Sequence, residues 1–170
     1  MSRIISLKIK KNGKIDSKGT LENGKYQGFH ENYYLNGLKS SEGNYNQGEK
    51  TGIWYYYYKS GNLSSICTYK DGIREGQREK YYSSIKPVLE KREFYHKNKL
   101  HGPWSRYYDS SENGHLMVKG RYYLGDMDGC WKRFDEFGIL REVEFYKKGQ
   151  QVGEWQFYNE KGILLKTEIH

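Results

Sequence analysis

The stretch Gly52–Gly76, GIWYYYYKSGNLSSICTYKDGIREG, decides the fold. It predicts two short strands, an aromatic one over Trp54–Tyr58 and one rich in Ile, Thr and Tyr over Leu63–Tyr69. Residues 59–62 turn the chain between them. Asp71-Gly72 then supplies the left-handed backbone that a tight hairpin turn requires. The stretch therefore predicts a β-hairpin that is closed by a second turn.

Glycines recur through the whole chain at the period of this hairpin. The glycines that open a unit are 24, 24, 26, 27 and 24 residues apart, and they are Gly28, Gly52, Gly76, Gly102, Gly129 and Gly153. The turn in the middle of a unit carries Gly13, Gly37, Gly61, Gly114, Gly138 and Gly162. The closing turn carries Gly24, Gly48, Gly72, Gly125 and Gly149, with Asn98 in the remaining unit. Asn is the usual substitute for Gly where φ is positive.

Aromatic residues keep fixed distances from the opening glycine, which is counted here as position 0. Position 2 holds Trp54, Trp104, Trp131 and Trp155, and position 5 holds Tyr33, Tyr57, Tyr81, Tyr107, Phe134 and Tyr158. Self-similarity at a fixed period is the signature of a repeat architecture. We therefore predict one array over residues 1–170, with seven units at about 4–27, 28–51, 52–75, 76–101, 102–128, 129–152 and 153–170.

These spacings resemble the MORN repeat family, in the short variant whose core reads G-x-W-x-x-Y…G-x-L…Y-x-x-G-x-x-x-G. The resemblance is clearest in 52–75 and 129–152 and weakest in 1–27. It implies an all-β fold, an elongated single-layer antiparallel meander of stacked β-hairpins. It also implies a scaffold for protein partners and sometimes for lipid surfaces. Compact bacterial arrays of this variant resemble antitoxin and immunity proteins, and nothing in the family motif is catalytic.

The composition agrees with a thin, repetitive sheet. A mean hydropathy of −1.03 and a net charge of +8 would alone favour disorder. Aromatic residues nevertheless make up 16% of the chain and occupy fixed positions, with 18 Tyr against 6 Phe. Tyr suits a surface that is packed on one side and wet on the other. We expect a core that is spread along the array rather than collected at one centre.

Several segments between the glycines are read as strands. Residues 3–10 alternate Ile5, Leu7 and Ile9 with polar residues, which predicts an N-terminal edge strand paired with residues 15–22. The helix-like segment Pro87–Glu93 falls where the repeat requires a strand. Residues 163–169 predict a final strand, whose charged residues either protect this edge or leave it to pair with another chain.

The relation between positions 2 and 5 leaves two arrangements open. Three residues apart, they fall on opposite faces of a regular strand. Either both faces carry aromatic residues or the strand bends between them.

Catalysis and metal binding are not predicted. The histidines are scattered and have no metal-binding spacing with Cys or carboxylates; they are His30, His96, His101, His115 and His170. Cys67 and Cys130 fall about five strands apart, roughly 24 Å, so we predict two free thiols and no disulfide. No apolar run approaches the length of a membrane span. We predict a cytoplasmic, non-enzymatic protein without a cofactor.

Position 4 and the irregular loops are the candidate binding elements. Position 4 varies from unit to unit, which suggests exposure, and Lys80, Arg106 and Arg133 follow each other there. Arg78 replaces the Trp of other units. The predicted partner-binding residues are Tyr56, Arg78, Lys80, Tyr82, Arg106, Tyr108 and Arg133. Two lengthened turns, 83–87 and 109–113, are expected to lie side by side and either bind a partner or reflect drift in loop length.

Three functions compete. The leading one is a scaffold that occludes a protein partner, by resemblance an antitoxin or immunity protein against a toxin with an acidic surface. The second is peripheral binding to anionic membrane lipid through the basic residues. The third is nucleic-acid binding, which the 21 Asp and Glu residues among the 29 Lys and Arg residues disfavour. The oligomeric state is open.

Overall fold

The computed structural model describes the backbone of residues 3–9, 13–109 and 114–170, which form strands and turns and contain no helix. The chain divides into two compact units, Met1–Pro87 and Val88–His170. Within each unit, strands of five or more residues that follow each other in the chain are hydrogen-bonded neighbours and antiparallel. The predicted all-β antiparallel meander of hairpins is therefore confirmed. The single array over residues 1–170 stays a prediction.

The first unit is a sheet of seven strands in chain order. They are β1 (Arg3–Ile9), β2 (Ile15–Glu22), β3 (Lys25–Tyr33), β4 (Lys39–Asn46), β5 (Glu49–Tyr57), β6 (Leu63–Lys70) and β7 (Ile73–Tyr81). The predicted pairing of the first two strands is observed, with Arg3 opposite Glu22. The apolar face predicted for β1 lies outside the described side chains.

The second unit has nine strands, two of which are only two residues long. They are β8 (Leu89–His96), β9 (Lys99–Leu100), β10 (Gly102–Tyr107), β11 (Leu116–Tyr123), β12 (Asp126–Phe134), β13 (Leu140–Lys147), β14 (Gln150–Gln151), β15 (Glu154–Tyr158) and β16 (Leu164–Ile169). The order is β8-β10-β11-β12-β13-β15-β16, with β9 against β8 and β14 against β13. The segment after Pro87 is thus a strand, as the repeat required.

The closing turns explain why the hairpins keep one register. In every one of the six described closing turns, both central residues have positive φ, including Asp71 at 49° and Gly72 at 75°. Positive φ at both positions defines the type I′ turn, whose twist matches that of the paired strands. Asn98, which replaces the glycine found in the closing turn of the other repeats, has φ of 66°. The prediction from glycine spacing is confirmed in backbone geometry.

A bulge separates positions 4 and 5 of the aromatic strands. The pairing register shifts between Tyr56 and Tyr57, and the same shift occurs in four other repeats. Tyr57 nevertheless donates a hydrogen bond to Glu42, which lies directly opposite Tyr55. Residues two apart share a face of a strand, so Tyr57 lies on the face opposite Trp54. Both faces of the sheet carry aromatic side chains.

The face that holds position 2 is called the Trp face, and its rings pack onto glycines of the preceding strand. A Cβ added to Gly43 would lie 2.4 Å from the Trp54 ring, and one added to Gly120 would lie 2.2 Å from the Trp131 ring. Real Cβ atoms essentially never approach a heavy atom below 3.0 Å. His30, which stands at position 2, covers Gly19 in the same way. Glycine lets each large ring lie flat against the backbone.

The rings also contact each other from strand to strand within each unit. In the first unit, ring centroids lie 5.3 Å apart for His30 and Tyr45, and 4.9 Å apart for Tyr45 and Trp54. In the second unit the ring centroids of Tyr122 and Trp131 lie 5.1 Å apart, and those of Tyr146 and Trp155 lie 5.4 Å apart. Aromatic pairs at such distances contribute about 0.5–1.5 kcal/mol beyond the area they bury. The core is therefore a row of rings along each sheet.

Few apolar side chains are fully buried in this row. Among the described residues, the buried hydrophobic side chains are Trp54, Cys67, Val118, Trp131, Val143 and Trp155. Burial lowers the pKa of His30, because the charged imidazolium loses hydration there. A neutral His30 ring can thus take the place of a Trp.

Leu124 is the least suited residue among those in the closing turns. Its φ is 50°, and its side chain is 43% exposed. A left-handed conformation costs a residue with a Cβ about 1–2 kcal/mol, and Asn tolerates it better. We expect Leu124→Asn to stabilise the protein by about 0.5–1 kcal/mol, measured by urea unfolding.

The reciprocal change provides the control, because Asn23 occupies the same position in another closing turn with φ of 51°. Asn23→Leu should lower the free energy of unfolding. An unchanged or lower stability of Leu124→Asn would contradict the assignment of strain to this turn.

Candidate functional site

The predicted binding residues at position 4 lie on the Trp face, in register across neighbouring strands. In the first unit, Tyr56 and Lys80 flank the buried Ser65. In the second unit, Arg106 and Arg133 flank the buried Val118. Two strand spacings separate the members of each pair, about 10 Å. The structure therefore brings together Tyr56 with Lys80 and Arg106 with Arg133, each pair within one unit.

Arg133 is held by two carboxylates. Its Nε lies 2.8 Å from Glu144 Oε1 and 3.3 Å from Glu142 Oε2. The Glu144 side chain is only 5% exposed, whereas that of Arg133 is 41% exposed. The hydrogen bond to Glu144 raises the pKa of Arg133. Burial, together with the nearby Glu144 charge, raises the pKa of Glu142. Arg133 thus neutralises a buried acid of its own sheet.

Arg106 has a different environment. It is half-buried opposite Lys91 and Val118, and its Nε is buried without a hydrogen-bond partner among the described residues. A buried donor without a partner costs free energy. Of the two arginines, Arg106 is the better candidate for contacting a partner.

Tyr56 is packed into the Trp face. Its hydroxyl lies 2.9 Å from the Tyr69 hydroxyl and accepts a hydrogen bond of 2.9 Å from Lys50 Nζ. The same ammonium lies 4.1 Å from the centroid of the Trp54 ring. Burial raises the pKa of Tyr56 and lowers that of Lys50. Lys50, which sequence reasoning did not single out, covers this part of the face.

Tyr108 joins two repeats. Its hydroxyl donates a 3.0 Å hydrogen bond to the carbonyl of Phe134, in the following aromatic strand. Tyr34 and Tyr58 make the corresponding bonds, to Tyr57 and Tyr81. Position 6 is thus a tie between successive hairpins where it holds Tyr108. Position 6 of the repeat that begins at Gly76 holds Tyr82, which is half-buried. Partner binding by Tyr82 stays a prediction.

Arg78 lies on the Trp face of the first unit. It stands directly opposite Cys67, which in turn stands opposite Trp54. Its side chain is partly exposed, as is that of Lys80. Partner contacts by Arg78 and Lys80 stay predictions.

A groove on the other face of the second unit is lined by basic side chains, and it is called the basic groove. Its volume is about 590 Å³. Its cations come from Arg92, Lys119, Arg121 and Lys132, and its floor includes Phe94 and Pro103. Lys119 and Lys132 are directly opposite each other on β11 and β12.

Sequence reasoning missed the basic groove, although the repeat carries a signal for it. The corresponding pairs in the first unit are Lys18–Glu31, an ion pair of 4.0 Å, Glu42–Tyr55 and Ile66–Glu79. Aligning the repeats by register would have shown that the second unit places two lysines where none of these pairs has like charges. That step requires the pairing of strands and not only the spacing of glycines.

The two lengthened turns have the predicted lengths. Tyr58 donates its backbone N–H to the carbonyl four residues on, whereas Tyr108 donates to that of His115, seven residues on. Residues 82–88 separate β7 from β8, two more than separate β5 from β6. The two turns belong to different units, and residues 110–113 lie outside the described part of the chain. Their proximity stays a prediction.

Metal ligands, free thiols and membrane-spanning helices are the other features that bear on function. Over residues 3–9, 13–109 and 114–170, no group of three or more His, Cys, Asp or Glu side chains could hold a metal ion. Cys67 and Cys130 are free thiols, buried and exposed respectively. In the same part of the chain no helix is long and apolar enough to cross a membrane.

Comparison with known families supports the class of fold seen here, a β-hairpin repeat protein. The family model described as the MORN repeat variant matches residues 50–71 and 127–148, one segment in each unit. The predicted resemblance to the MORN repeat family is thereby confirmed. MORN repeats generally bind proteins or membranes. A search of curated proteins found no match.

The contrast between the two arginines gives a stability prediction. Arg133→Gln leaves the buried Glu144 without its cation, so we expect a loss of about 2 kcal/mol at neutral pH. Arg106→Gln removes no ion pair with a described residue and should change stability by less than about 0.5 kcal/mol. Urea unfolding of both variants measures the difference.

The pH dependence follows from the carboxylates. The folded pKa of Glu142 is raised above its ordinary value of 4.5, so the folded state binds more protons than the unfolded state and stability falls as pH rises through this range. Without Arg133 the pKa should rise further, and the deficit of Arg133→Gln should shrink towards pH 4.5. If Arg133→Gln lowered the free energy of unfolding by the same amount at neutral pH and at pH 4.5, the result would contradict the ion pair.

Proposed function

We propose that the chain is a non-enzymatic protein-binding scaffold, and that it acts in the cytoplasm as an antitoxin or immunity protein that occludes a toxin. The observation that carries the proposal is a fixed frame with variable surface positions. Trp54 and Trp131 are buried at position 2, while position 4 of other aromatic strands holds the partly exposed Lys80 and Arg106. Repeat proteins commonly bind through variable positions on a constant, extended framework.

Charge supports the choice of partner. The chain carries a net charge of +8, which would speed its encounter with an acidic surface. Arg106 offers a partly buried guanidinium with an unpaired Nε, and carboxylates are its preferred partners. Binding by such a surface is steric and electrostatic, and it requires no chemistry on the partner.

The test begins with a pull-down from the native cell, followed by expression of each captured protein alone and together with the chain. We expect one captured protein to arrest growth when it is alone and to be harmless when the chain is present. The mass of that protein should be unchanged after incubation with the chain. Capture of harmless proteins only would contradict the antitoxin role, and a change in mass would contradict the non-enzymatic role.

Charge reversal tests whether the Trp face is used. The double variant Lys80→Glu/Arg106→Glu should weaken partner binding about tenfold or more, measured by calorimetry. Arg133 is left intact because its loss would leave the buried Glu144 without its ion-pair partner. Lys70→Glu/Lys147→Glu is the matched control, because both residues are exposed and the change in net charge is the same. Equal effects of the two double variants would show general charge attraction instead of this face.

Apolar side chains at the turn tips favour a second candidate, binding to an anionic membrane surface. Leu35 is 64% exposed and Ile85 is 94% exposed, both in turns of the first unit. Apolar tips can enter the interface while nearby cations attract anionic lipid. Flotation with anionic vesicles should then depend on both residues, and Leu35→Ser/Ile85→Ser should abolish retention. No retention of the wild type at low salt would remove this candidate.

A further inference from the structure

We infer that the basic groove of the second unit holds an acidic segment of a protein partner, in which carboxylates flank an apolar side chain. The inference rests on the proposed protein-binding function, and it specifies the face used and the chemistry recognised. This face is opposite the Trp face, where the sequence placed its candidate residues.

The first argument is a pair of like charges that folding does not explain. Lys119 and Lys132 stand directly opposite each other on neighbouring strands. Like charges in this relation destabilise a sheet, whereas opposite charges stabilise it. None of the corresponding pairs in the first unit has like charges: they are Lys18–Glu31, which is an ion pair, Glu42–Tyr55 and Ile66–Glu79. In the described part of the chain, neither Lys119 nor Lys132 forms an ion pair with a carboxylate, and Lys119 Nζ lies 5.8 Å from the centroid of the Phe134 ring.

Two further cations extend the positive surface. Arg92 stands opposite Ser105 on the neighbouring strand, and Arg121 lies two residues beyond Lys119 on β11. Arg121 contacts Asp128 at 3.2 Å, but its side chain is 58% exposed, so this ion pair is weak. Asp128 compensates Arg121 only weakly. An anionic ligand would compensate Lys119 and Lys132.

The floor of the groove decides what kind of anion fits. Phe94 and Pro103 form an apolar surface, and Gly102 and Gly120 add no side chains to it. The volume of about 590 Å³ lies in the usual range for ligand sites, about 300–1,000 Å³. A chain segment can place an apolar residue on this floor and direct carboxylates to the rim.

Other polyanions fit this arrangement less well. Single-stranded nucleic acid is held by exposed ring faces on which bases stack, and Phe94 is half-buried in the groove. A membrane surface is bound by cations around protruding apolar groups, whereas these cations surround a concave floor. Both are therefore used as alternative outcomes of the test.

The experiment measures binding of a fluorescein-labelled peptide that alternates glutamate with leucine, by fluorescence anisotropy with the full chain. Lys119→Glu is the decisive variant, because it removes a groove cation and places a carboxylate opposite Lys132. We expect binding to weaken about tenfold or more, while thermal stability stays unchanged or rises. Lys147→Glu, exposed on β13 outside the groove, is the control with the same net charge, and it should weaken binding less than about threefold.

Peptide composition provides the second control. A peptide with glutamine in place of glutamate should not bind, and one with serine in place of leucine should bind more weakly because the floor is left uncovered. Equal weakening by Lys119→Glu and Lys147→Glu would overturn the inference. So would tighter, groove-dependent binding of anionic vesicles or a single-stranded oligonucleotide than of the peptide.

The same variant separates this inference from the proposed function. If the partner from the native cell binds Lys119→Glu as tightly as the wild type, the basic groove is not its site, and the scaffold function still stands. If that partner is lost with Lys119→Glu and retained with Lys147→Glu, the acidic segment of the partner lies in the groove.

Discussion

The structure depends on a large ring lying flat on a glycine of the neighbouring strand. Trp54 covers Gly43 and Trp131 covers Gly120 so closely that a methyl group at either glycine would overlap the ring. The Trp54 indole then donates to the carbonyl of Asn44, one residue further along the same strand. Each such pair determines which residues of two strands face each other. The type I′ turns then determine where the next strand begins.

A single sheet packed in this way has little interior, and this limits how it can function. Most side chains in both units are partly or fully exposed. Several polar side chains on the sheet surface form hydrogen bonds or ion pairs between neighbouring strands. Arg133 shows the consequence, because a side chain that looked available for a partner neutralises the buried Glu144. A partner must therefore be bound by side chains that form no ion pair within the sheet. Lys119 and Lys132 meet this condition, and their mutual repulsion is relieved when an anion binds.

Much of the fold could be predicted from residue spacing. Glycines of the closing turns and the substitute Asn98 indicated the left-handed positions, and all of them have positive φ. The alternation at 3–10 and the repeat at Pro87–Glu93 correctly predicted strands. These features are local, because a turn or a strand is encoded by residues that are near in the chain. The lengths of the irregular turns were predictable for the same reason.

The candidate site was less predictable because it depends on which residues become neighbours across strands. Glu144 follows Arg133 by eleven residues, and no local pattern marks them as partners. The role of Gly43 was hidden as well, because it lies inside a strand rather than in a turn. Spacing identified position 4 as variable but could not show that Tyr56 is covered by Lys50. Register, which converts spacing into contacts, was the missing information.

The most direct measurement is the proton NMR spectrum of Gly43 and Gly120 in the native protein. If the indole rings of Trp54 and Trp131 lie over these glycines, ring currents will shift their Hα protons strongly upfield. Nuclear Overhauser contacts will then connect each Hα pair to its indole. Unshifted Hα resonances without contacts to the rings would show that the rings do not pack on glycine, and the registers derived from that packing would be wrong.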